Sequence, residues 1–127
     1  MKKLGLIFAF VFAFVAPAFA DPAEGIWKTQ VDDGAYAHIK MSACGNKLCG
    51  VIARTFNSDG EYKSQNLGKK LVWDMEPLGG GSYGNGSIWQ PSKDRVYSST
   101  MELSGNKLVV VGHWGPFKKS QTWTRVK

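Results

Sequence analysis

A chain of 127 residues with sixteen Lys and Arg against ten Asp and Glu carries a formal charge of +6 and has room for one hydrophobic core. Two of the cations, Lys2 and Lys3, precede an uncharged apolar run (residues 4–15) and the small-residue site Ala18-Phe19-Ala20. That order predicts a cleavable export signal over residues 1–20, too short for a membrane span, which needs about 20 apolar residues. Asp21 rather than Cys follows the expected cut, which argues against lipid attachment, and no later stretch is long and apolar enough to anchor the chain.

Residues 21–127 then form a single domain with fourteen cations and ten anions, net +4. This moderate excess favours anionic surfaces and is too diffuse to argue for nucleic acid, which export also excludes as a partner. The expected location is the periplasm, with the extracellular space as the second choice.

The domain alternates in twos from its start, the period of a strand with one buried face. Strands are predicted over 25–31, 36–43, 48–55, 70–75, 87–90, 95–103, 107–114 and 120–126. In the second, Tyr36, His38, Lys40 and Ser42 share one face, and Ala37, Ile39, Met41 and Ala43 share the other. Gly45-Asn46 supplies a tight turn to the third strand. Clusters such as Asp32-Asp33-Gly34, Asn57-Ser58-Asp59-Gly60 and Ser104-Gly105-Asn106 punctuate the rest. The pattern is an all-β antiparallel meander of about eight strands, which closes into a barrel or folds into a sandwich.

Cys44 and Cys49 are the only cysteines, with four residues between them. A redox C-x-x-C has two, and a metal site would need further ligands that His38 and His113 do not supply at suitable spacing. In an oxidising compartment the pair is expected to form a structural disulfide. No metal or other cofactor is predicted. The segment 79–86, Gly-Gly-Gly-Ser-Tyr-Gly-Asn-Gly, contains a G-x-G-x-x-G spacing, but no helix follows it as a dinucleotide site requires. It reads as a flexible loop, with a mobile lip to a binding site as its functional version.

Gly25-Ile26-Trp27 on the first strand and Gln121-Thr122-Trp123-Thr124-Arg125 on the last are similar to the calycin pattern of lipocalins, in which a G-x-W tryptophan packs under a late arginine. With Cys44 to Gly50, Gly86-Ser87-Ile88-Trp89, Val96-Tyr97 and Gly112-His113-Trp114-Gly115 between them, the ordered set resembles a secreted bacterial family known only as a domain of unknown function, number 2147, whose fold is lipocalin-like. The resemblance implies a single up-and-down β-barrel and suggests ligand binding. It implies a structural pin between Trp27 and Arg125, and it brings no catalytic residues.

On this reading the protein is a binding module for a small apolar or amphipathic, lipid-like molecule of the cell envelope. Candidate lining residues are Ile39, Met41, Trp73, Trp89, Tyr97, Met101 and Trp114, since Met adapts its shape and Trp and Tyr join apolar area to a polar tip. The competing reading is a protein partner or inhibitor of an envelope enzyme acting through residues 77–86, with the tryptophans filling a solid barrel. Catalysis is not expected. Asp74 and Glu76 are the only paired carboxylates near the expected mouth, about 7 Å apart on one strand face, and the G-x-S-x-G spacing of Gly80 to Gly84 is followed by no helix, so it makes no nucleophile elbow.

Overall fold

The computed structural model describes residues 20–127, so the export signal expected over residues 1–20 lies, but for Ala20, outside the described residues. The strands are β1 (Gly25–Lys28), β2 (Tyr36–Cys44), β3 (Lys47–Asn57), β4 (Gly60–Tyr62), β5 (Lys70–Gly79), β6 (Ser82–Gln90), β7 (Arg95–Ser104), β8 (Lys107–Trp114) and β9 (Phe117–Arg125). They follow one another in a single antiparallel sheet ordered β2-β1-β9-β8-β7-β6-β5-β3-β4, and β2 also pairs with β3. That last pairing closes eight strands into a barrel and leaves the three-residue β4 as a flap on β3. The alternation read from residues 36–43 survives in β2: Ile39 and Met41 are buried and Lys40 between them is exposed. A bulge between His38 and Ile39 interrupts the ladder just before them.

The barrel has two unlike ends. At one, the base, lie the β2–β3, β5–β6 and β7–β8 turns and both ends of the described chain. Residues Asp21 to Glu24 cover this end, with Ala23 wholly buried. Trp27 Nε1–H donates to the Ala23 carbonyl at 2.8 Å, and the Tyr83 hydroxyl donates to Asp21 Oδ1 at 2.6 Å. The Arg125 guanidinium lies 4.4 Å from the Trp27 ring centroid and donates to the carbonyls of Glu24 (3.0 Å) and Pro22 (2.6 Å). The arginine thus lies over the Trp27 ring and also fastens the segment that covers the base.

Buried side chains pack the base half. Met41, Met75 and Met101 are buried there with Leu48 and Trp27. Gly50 is required by this packing, because a Cβ would come within 2.6 Å of Met41 Sδ and 2.9 Å of Ile39 Cγ2. Gly86 has the same role against Met75, whose Cε would lie 2.8 Å away. The glycine-rich segment is thus not a loop. β5 runs on to Gly79, β6 begins at Ser82, and only Gly80 and Gly81 turn between them, both with positive φ. The glycines of β6 are small to admit neighbours, a demand that sequence composition reads as flexibility.

The disulfide joins Cys44 and Cys49 with Cα atoms 5.8 Å apart. The two are not directly opposed: Cys44 pairs with Lys47 and Cys49 with Ser42, so the bridge runs diagonally across the β2–β3 hairpin. Replacing both by Ser is expected to lower stability by about 2 kcal/mol, the loop-entropy value for so short a closure. Denaturant unfolding checks this: the midpoint should fall while the slope stays the same.

Candidate functional site: a cavity at the open end

The opposite end is open. The connections 29–35, 58–69, 91–94 and 115–116 surround a cavity of about 540 Å³ that enters the upper half of the barrel. Its floor is apolar and buried, formed by Ile39, Ile52, Leu71, Val110 and Trp123. Ile88, Tyr97 and Ala37 continue the wall upward. Part of the free space is owed to Gly112, where a Cβ would meet only Tyr97 and Ile88 at ordinary contact distances of 3.6 and 3.7 Å.

Polar groups on the wall are occupied by one another. The Tyr97 hydroxyl donates to Gln90 Oε1 at 2.7 Å. Thr55 Oγ1 donates to the Tyr62 carbonyl at 2.6 Å and accepts from the Ser64 N–H. Among the described residues no buried side-chain nitrogen or oxygen lacks a partner, so the depth of the cavity offers no free polar anchor. Free polarity is at the rim instead, where Lys93, Lys118 and Lys119 outnumber the acid Asp32 around the opening, while Gln30 Oε1 accepts the Thr122 N–H at 3.0 Å. An apolar depth under a cationic rim suits a molecule with an apolar body and an anionic head.

The seven residues singled out in the sequence divide between the two halves. Ile39, Trp89, Tyr97 and Trp114 come together around the cavity. Met41 and Met101 share the inward face but sit lower, in the filled half, and Trp73 is half-buried on β5 away from the cavity. Residues 79–86 lie at the base and do not border the opening, so they provide no lip. The sequence reading passed over Ile52, Ile88, Val110 and Trp123. Period-two alternation through β8 and β9, applied as it was to β2, would have found the last two.

Asp74 and Glu76 do not form a catalytic pair. Asp74 has φ of 54°, which breaks the strand alternation, and Glu76 contacts Lys47 (3.5 Å) and Asn85 (3.4 Å). Neither borders the cavity. Among the described residues no group of three or more His, Cys, Asp and Glu could hold a metal. Beside the mouth, His38 lies 4.7 Å from Phe56 in an aromatic cluster with Tyr36. Partial burial and then the Arg54 charge push its pKa below the ordinary value.

A family profile described as an uncharacterized protein conserved in bacteria (DUF2147) matches residues 25–125. The solved structure of protein HP1028 from Helicobacter pylori, described as belonging to the lipocalin family, has a TM-score of 0.64 and 18% sequence identity, over 82% of each chain. No curated protein matches.

Proposed function

Since the chain belongs to this uncharacterized bacterial family and closes as a lipocalin-like barrel, a fold that typically binds rather than catalyses, we propose that it holds one amphipathic molecule in the open half of the barrel. The apolar body occupies the floor of Ile39, Ile52, Val110 and Trp123, and an anionic head stays at the rim with Lys93, Lys118 and Lys119. The single observation that carries this reading is the cavity itself, about 540 Å³ including its open mouth, within the range of small-molecule sites. The export signal expected over residues 1–20 and the disulfide support a place in the cell envelope, the periplasm first. The unfilled interior also weakens the reading of a solid barrel that works only through loops.

The test is a titration of the purified protein with a fluorescent fatty acid and a lysophospholipid, alongside native mass spectrometry of material taken from its own envelope. One equivalent should bind, and a hundredfold excess over Kd should stabilise the fold by about 2.7 kcal/mol. Ala37→Trp places an indole in the cavity and is expected to abolish binding while the barrel stays folded. Wild-type protein that takes up neither probe and carries no small molecule, or an A37W variant with undiminished affinity, would rule the reading out.

A further inference from the structure

We propose that the mouth of the barrel docks on an anionic lipid bilayer, with the tip of the β8–β9 hairpin as its insertion point. The last rung of that ladder pairs Trp114 with Phe117 across Gly115-Pro116. Both rings stand in solvent, 59% and 69% exposed, with centroids 6.4 Å apart. Val96, also exposed, lies on the neighbouring β7. Isolated exposed apolar residues need no explanation, but two adjacent aromatics held by strand pairing form a preset apolar point.

The charge around this point has one dominant sign. Lys93, Arg95, Lys118 and Lys119 belong to the same arc of the mouth, and none of the four is in an ion pair among the described residues. The arc's acid, Asp94, accepts the Trp89 indole N–H at 2.9 Å. Arg95 stands 4.7 Å from the Trp114 ring, which fixes a cation beside the apolar tip.

A projecting aromatic tip ringed by cations outside any ion pair among the described residues matches the layered chemistry of an anionic bilayer. It can enter the boundary between headgroups and acyl chains, where Trp is favoured, while surrounding lysines and arginines meet anionic headgroups. The same orientation turns the cavity opening toward the lipid. The inference goes beyond ligand binding; Trp114, Phe117, Lys118 and Lys119 also border the cavity opening, so a variant altered on the cavity wall alone is needed to separate the two.

The experiment is co-sedimentation of residues 21–127 with vesicles of phosphatidylcholine alone or containing phosphatidylglycerol, at low and high salt. Wild-type protein should sediment with the anionic vesicles, less so as salt rises, and remain in solution with the neutral ones. The double variants W114S/F117S and K118E/K119E should each reduce binding about tenfold or more with unchanged melting temperature, because all four side chains are exposed. A37W should bind vesicles as the wild type does even where it takes up no free lipid, which separates docking from ligand binding. Absence of anionic sedimentation, full binding by W114S/F117S, or loss of vesicle binding in A37W would each overturn the proposal.

Discussion

Trp27→Ala is expected to destabilise the barrel by about 3–5 kcal/mol, the range for truncating a wholly buried tryptophan. The indole is wholly buried and its N–H is bonded to the Ala23 carbonyl, so truncation leaves a void and a carbonyl without its donor. Arg125→Ala removes the cation above that ring and two hydrogen bonds to the Pro22 and Glu24 carbonyls, which then release the covering segment. The two losses overlap. Once the ring is gone the guanidinium has less to lie on, so the double variant should cost less than the sum by about 0.5–3 kcal/mol. Urea unfolding of the four proteins measures the difference. Additive effects within error would mean that the stacking contributes nothing beyond each residue's separate contacts.

Above pH 10 the protein should lose stability through Tyr83. Burial first, and then the hydrogen bond and negative charge of Asp21, push the phenol pKa well above its ordinary value. In the unfolded chain it titrates near 10. The raised folded pKa makes this contribution fully present below pH 10 and progressively lost as pH rises toward the folded value. The slope from this one group approaches about 1.4 kcal/mol per pH unit. Lysines titrate in the same range, so the comparison is with Tyr83→Phe. That variant is less stable at pH 7 for want of the bond to Asp21, and its stability should fall less steeply from pH 10 upward. Parallel thermal-melting curves for the two proteins across that range would show that Tyr83 ionises freely in the fold.

The features legible in the sequence are those set by local period or by short spacing. Alternation in residues 36–43 identifies the inward face of β2, and the Gly45-Asn46 turn brings the two cysteines within reach of one another. Height along the barrel is not a local property. Ile39 and Met41 share a face two residues apart, yet one meets the cavity and the other lies in filled core, because the register of β2 on β3 sets Met41 opposite Gly50. The glycines of residues 79–86 misled for a related reason. Composition records their conformational freedom, whereas Gly86 answers to Met75 on the adjacent strand. Trp123 stands two residues before Arg125, and alternation gives its inward face while the closed sheet gives its height, at the cavity floor. The cationic rim joins Lys93 of the 91–94 connection to Lys118 and Lys119 of β9, and no single run of sequence contains it.

Because β1 pairs with β9, the first strand cannot complete its hydrogen bonds until the last has joined it. The Arg125–Glu24 contact spans 101 positions, and closing a loop of that length costs roughly 4 kcal/mol of chain entropy before any new contact offsets it. Hairpins from β5 through β9 can form as neighbours, but the base stays open and the methionine core stays wet until this final pairing. Folding is accordingly expected to be slow for a chain of this size, with barrel closure as its late step. A chain lacking the nine residues of β9 would retain two unpaired edges, on β1 and on β8, and would be a template for pairing between chains instead of a slightly weakened monomer.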